Sequence, residues 1–292
     1  EHNEMQSSKQ SSRLYLILAV LMAGAFVAVL NSTLLNIALP SIMKSFGIQA
    51  STAQWLTTGY MLVNGIMIPT SAFLVQKFST RQLFLTAMTL FSLGTIIAGQ
   101  AHIFPLLLGA RMMQASGSAI MMPLLMNVLL TGFPIEKRGQ AMGIFGLVIT
   151  FAPAIGPTLS GWILEHYEWR MLFHLVTPIA LLVLFTGAFL LKKETVQSSL
   201  KLDLFSLVLS SFGFGGLLYG FSSAGSAGWG SWTVIGSLII GVISLTSFII
   251  RQFMLEEPML EFGIFRYPMF ALSQGISMVL NMSMFSAMIL MP

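Results

Sequence analysis

AMGIFGLVITFAPAIGPTLSGWI, residues Ala141–Ile163, carries no charge and is just long enough to cross a hydrocarbon core of about 30 Å as a helix. Ala152, Gly156 and Ser160 fall four apart and so share one face. In lipid, where packing rather than hydrophobicity holds helices together, such a row lets a neighbouring backbone come close. Pro153 and Pro157, also four apart, withhold their N–H groups from the carbonyls of Ile149 and Pro153, so a bend is expected there. Carbonyls freed at membrane depth need protein or a wet cavity against them. A kinked helix that only packs, with no part in transport, is the simpler reading of these residues taken alone.

The rest of the chain extends this pattern. Of its 292 residues 55% are hydrophobic and 8% charged, where soluble domains carry about 25% charged residues. That composition specifies a polytopic membrane protein. The formal charge of +4 sits in loops and does not suggest nucleic-acid binding. Cysteine is absent, which excludes disulfides, thiol catalysis and cysteine metal sites. His2, His102, His166 and His174 have no zinc-site spacing. The start, EHNEMQSSKQSSR, is too long and polar for a signal-peptide n-region and reads as a cytoplasmic tail, residues 1–13, before a retained first helix.

Nine apolar segments of spanning length follow: Leu14–Ile37, Gln54–Val75, Leu83–Ala101, Phe104–Leu130, Ala141–Ile163, Met171–Leu191, Leu204–Phe221, Trp232–Ile250 and Met269–Pro292. With the N-terminus inside, the inner segments hold Lys9, Arg13, Lys77, Arg81, Lys137, Arg138, Lys192, Lys193, Lys201, Arg251 and Arg266. The outer loops hold only Lys44 and Arg170. The positive-inside rule therefore predicts a cytoplasmic N-terminus. A six-helix block over 14–191 is expected, then a cytoplasmic linker over 192–203 and a two-helix pair over 204–250. A cytoplasmic connection over 251–268, with Glu256, Glu257 and Glu261 solvated at the membrane surface, leads to a ninth span over 269–292. Since that span ends at Pro292 with no polar tail, a piece of a longer protein is expected.

Several stretches carry polar groups that an apolar helix does not need. LNSTLLNIALP, Leu30–Pro40, brings Asn31 and Asn36, which suit interhelical hydrogen bonding as well as substrate contact. ARMMQASGSAIMMP, Ala110–Pro123, contains Arg111, the one charge within the first six spans. At the bilayer centre it costs at least about 2.5–3.5 kcal/mol, which argues for function over snorkelling to the surface. Gln114 and Ser118 lie on its face by i+3 and i+7 spacing. AFLVQKFSTRQLFL, Ala72–Leu85, is a basic turn whose ordinary use is topological. In EWRMLFHLVTPIA, Glu168–Ala180, His174 is the one group near a span that titrates near neutrality, though a packed histidine at the outer mouth fits as well.

Taken in order, these stretches resemble the motifs of the fourteen-helix drug:proton antiporters of the major facilitator superfamily, the EmrB/QacA type, nearest to lincomycin-resistance-type exporters of Gram-positive bacteria. Gly143, Gly156, Pro157 and Gly161 match motif C of the fifth helix, with Ala152 and Ser160 where the pattern has glycine. Thr33, Asn36, Ala38, Leu39 and Pro40 match the first-helix motif, with Asn31 where many members have Asp. Leu74, Lys77 and Arg81 keep part of the inner-gate motif A, whose Gly, Asp and second Gly are replaced by Ala72, Gln76 and Ser79. Without the acid at position 76, a latch there rests on neutral hydrogen bonds. Arg111, Gln114 and Gly117 match motif B, with Ala115 for its first glycine; Trp169, Arg170, Phe173 and Pro178 match the start of helix six. Pro258, Leu260, Phe265 and Phe270 match the connection before helix nine.

The resemblance implies an all-α polytopic membrane protein: the N-terminal six-helix bundle of the superfamily, two insert helices and part of a ninth helix. It implies a multidrug efflux transporter rather than an enzyme, here lacking most of the second bundle, in a bacterial cell membrane. It needs no cofactor or metal beyond the proton gradient. The implied partners are protons, the lipid bilayer, lipophilic or amphipathic drugs such as lincosamides or cationic dyes, and a second half-transporter chain that would complete it. Arg111 would line the central cavity and take part in proton coupling, with Gln114, Asn31, Asn36 and His174 as further cavity or coupling residues. No Asp or Glu lies in spans one to six, so a proton carrier is expected in the missing half, or at His174, Glu165 or Glu168. Two other readings stand beside this one. The chain is a non-transporting remnant or helper, or an intramembrane serine protease using Ser116 on span four and His174 on span six.

Overall fold

A computed structural model describes residues 2–191, 208–213, 215–217, 219–220, 228 and 230–254. The linker 192–203, the connection before helix nine and the ninth span fall outside these residues, and of the seventh span and its outer turn only parts fall within. The described residues form helices and connecting turns, with no strand among them. The elements are α1 (His2–Phe46), the single turn α2 (Ala50–Ala53), α3 (Trp55–Lys77), α4 (Thr80–Gly99), α5 (Phe104–Gly132), α6 (Ile135–His166), α7 (Arg170–Leu190), α8 (Val208–Leu217) and α9 (Trp232–Met254). Six of them, α1, α4, α5, α6, α7 and α9, are long and apolar enough to cross a membrane. The stretches Ala50–Met67 and Pro69–Lys77, bent by 50° at a break within α3, together pass the same test as a seventh span. Pro69 accounts for the bend, because it lacks the N–H that Gly65 would bond.

Helices outrun their apolar segments. α1 starts at His2, so residues expected as a tail continue the first helix. Glu, Gln, Lys and Arg are good helix formers, and outside the hydrocarbon their charges do not oppose the helix. α6 likewise runs six residues before Ala141 and passes unbroken through Pro153 and Pro157. α4 begins at a capping box: Ser79 Oγ accepts from the Gln82 N–H and the Ser79 N–H donates to Gln82 Oε1, each at 3.2 Å.

Two compact units emerge, one of Glu1–Met67 with Leu74–Ser199 and one of Ile68–Phe73 with Leu200–Pro292. In the first, α1 packs on α5, α6 and α7, and α4 packs on α5 and α7. Leu21, Leu34, Ile42, Phe84, Met88, Phe91, Met121 and Leu124 fill its interior. α4 and α5 touch closely at Gly117, where an added Cβ would strike the Ala87 carbonyl. In the second unit, glycines of α8 and its continuation lie against Leu238, Gly241 and Leu245 of α9.

Candidate functional site

Arg111 points into the first unit and is 3% exposed. Its Nε–H donates to the Leu56 carbonyl of α3 at 3.4 Å, Nη1 to Gln114 Oε1 at 3.4 Å and Nη2 to Ser32 Oγ of α1 at 3.2 Å. The Tyr60 ring covers the guanidinium, with its centroid 3.8 Å from Cζ, and the Tyr60 hydroxyl shares a hydrogen bond with Ser118. Cation–π contact of this kind strengthens as water is excluded.

Gln114 joins three helices. Its Oε1 also accepts from Asn31 Nδ2 at 3.2 Å, and its Nε2 donates to Thr95 Oγ1 of α4 at 2.8 Å. Thr95 passes its own proton to the Phe91 carbonyl at 2.8 Å. Each side chain in this network makes at least one hydrogen bond, as burial demands. Close by on the same two helices, Thr57 Oγ1 donates to Asn36 Oδ1 at 3.4 Å, both side chains half-buried.

Four of the five residues expected at the cavity, Asn31, Asn36, Arg111 and Gln114, thus gather where α1, α3 and α5 meet. His174 does not join them. It is exposed on α7, and its ring lies against Gly99. The Ser116 hydroxyl donates to the Met112 carbonyl one turn back and not to His174. Ser32, Tyr60 and Thr95 enter the network without having been singled out. Tyr60 and Thr95 are polar groups within apolar spans, the signal that marked Asn31.

Among the described residues no carboxylate touches Arg111. Among the described residues the acids are Glu4, Glu136, Glu165 and Glu168, all exposed, and Glu168 pairs with Arg170. No group of three or more metal-ligating side chains occurs among the described residues.

The small-residue face of α6 supports this centre from behind. Ala152, Gly156 and Ser160 are buried against α1. A Cβ on Gly156 would lie 2.5 Å from Thr33 Cγ2, and Ser160 Oγ donates to the Leu34 carbonyl at 3.5 Å. These contacts seat the turn that follows Asn31 and Ser32. Pro153, Pro157, Gly143 and Gly161 lie on the exposed side, and a Cβ added at either glycine would meet nothing within 4 Å. The motif therefore divides between two faces of one helix.

In the expected gate loop, Gln76 is exposed, Lys77 ends α3 with its ammonium 5.8 Å from the Phe78 ring, and Arg81 donates to the Ala188 carbonyl of α7 at 3.1 Å. At the other end of the bundle, Arg170 clamps the Ala101 carbonyl with Nε at 2.9 Å and Nη2 at 2.8 Å. Trp169 packs there against Phe46 and Phe173, with centroids 5.6 and 6.0 Å away.

A family model described as Major Facilitator Superfamily matches residues 21–291. The uncharacterized MFS-type transporter YcnB of Bacillus subtilis (strain 168) is 56% identical over 257 residues, covering 88% of this chain and 54% of that protein. Lincomycin resistance protein LmrB of the same organism is 45% identical over 289 residues, covering 98% of this chain and 60% of that protein. The chain thus spans little more than half the length of these curated relatives. Among solved structures, a peptide transporter POT in complex with sulfate aligns with a TM-score of 0.61 at 15% identity, covering 82% of this chain and 53% of that one.

Proposed function

Because the chain belongs to the major facilitator superfamily, we propose that it is the first bundle and insert of a multidrug exporter that expels lipophilic or amphipathic drugs against proton entry. The observation that carries this reading is Arg111, buried at the meeting point of α1, α3 and α5 on neutral partners. An apolar core has no structural need for such a group, and intramembrane charges mark ligand or ion pathways. The name of LmrB, a lincomycin resistance protein, makes lincosamides the first ligands to try.

Transporters of this architecture rock two bundles about a midplane site. One bundle cannot alternate access against itself, so transport needs a second half, in the same polypeptide or from another chain. The N-terminus lies in the cytoplasm, as the basic residues indicate. The amide at Asn31 cannot titrate and His174 lies apart from the network, so the proton carrier belongs to the second half.

Efflux of lincomycin, ethidium and 4-octylbenzoate from cells lacking other pumps tests this. The chain alone is expected to be inactive and the chain completed by a second six-helix bundle to export. Export by the chain alone contradicts the two-bundle mechanism, and export by neither form contradicts the function.

A further inference from the structure

The charge of the network around Arg111 is fixed. Its direct and second partners are Leu56, Ser32, Gln114, Tyr60, Asn31, Thr95 and Ser118, and none is a carboxylate or a histidine. A guanidinium offers five N–H donors. Three are engaged here, which leaves one on each terminal nitrogen. Ser32 and Tyr60, which contact the arginine from α1 and α3, and Asn36 and Thr57 on the same two helices are half-buried rather than sealed, whereas Asn31 and Gln114 are buried.

A buried cation with spare donors and no counter-ion among the described residues calls for an anion, and a carboxylate matches the planar fork of arginine best. The same charge in a low-dielectric setting repels a ligand cation. We propose that this centre selects ligands by charge: it binds amphiphiles that carry a carboxylate and disfavours cationic ones of the same shape. This rests on the reading of the chain as part of an exporter and narrows its substrate class. Cationic dyes become the poorer ligands of this bundle.

Three probes sharing one apolar body decide the matter: 4-octylbenzoate, 4-octylbenzamide and 4-octylphenyl-trimethylammonium. Binding is measured by equilibrium dialysis against the purified chain in nanodiscs of neutral lipid, with empty nanodiscs subtracted. The benzoate is expected to bind at least tenfold tighter than the amide, and the cation weaker than both. Arg111→Gln should abolish the order among the three. Asn31→Asp is a second variant that nearly keeps size. It places a carboxylate where Asn31 and Arg111 already share Gln114 Oε1, and should remove the benzoate preference while Arg111 stays in place. Equal binding of the three probes, or a benzoate preference that survives both variants, overturns the proposal. Loss of that preference when the second bundle is present also overturns it, because the protein would then supply the carboxylate. Because binding is read without transport, efflux without charge preference sinks this inference alone. Charge preference in the chain without efflux by the form completed with a second bundle sinks the transport reading instead.

Discussion

Tyr60 places its ring over Arg111 and its hydroxyl on Ser118, so two contributions can be separated in one side chain. Tyr60→Phe keeps the ring and loses the hydrogen bond, a change of about 0.6 kcal/mol on the scale of polar contacts between membrane helices. Tyr60→Leu also loses the cation–π contact, for roughly 1–2 kcal/mol more when water is excluded. Thermal unfolding of the two variants in detergent is expected to show the leucine form clearly less stable than the phenylalanine form. Equal midpoints would mean that the ring does not hold the guanidinium. The residue scale also shows what sequence reveals. Arg111, Gln114 and Ser118 share a face because helical spacing alone puts them there, and Asn31 stood out as an amide in an apolar run. Ser32 and the Leu56 carbonyl could not be found this way: one is an ordinary helix residue and the other is backbone, and both meet Arg111 only through the packing of distant helices. His174 was singled out by its chemistry, and the structure places it exposed on α7 beside Gly99, outside the Arg111 network.

Among the helices, α6 shows how one motif serves two surfaces. Ala152, Gly156 and Ser160 were legible as a packing face from their spacing, and they do pack, against α1. Which neighbour they would meet was not legible, because small residues fit any close backbone. Gly156→Val should force Thr33 aside and unsettle the turn carrying Ser32, at about 1–3 kcal/mol as expected for overpacking. Gly161→Val, with open space around it, should leave the stability of the purified chain nearly unchanged. Circular-dichroism melts of both variants check this, and equal losses would show that α6 does not present these two faces. Helix ends were the least legible feature. Hydropathy marks the hydrocarbon, whereas α1 and α6 continue into polar residues whose backbone still favours a helix.

At the scale of the molecule, a fixed positive charge held by neutral dipoles separates two tasks. On the proposed reading the ligand falls to Arg111 in the first bundle and the proton to a carrier in the second half; every acid among the described residues is exposed. Among the described residues one charge, Arg111, is buried and no acid is, which suits this bundle to holding an anion. The measurement that tests this most directly is drug efflux by the polypeptide completed with its second bundle, comparing Arg111→Gln with the exposed Lys137→Gln at matched membrane levels. Arg111→Gln is expected to lower the export rate at least tenfold while Lys137→Gln stays near the unmodified rate. Export by the Arg111→Gln form at the unmodified rate would contradict the account, because the buried arginine would then be a packing element and the site would lie elsewhere.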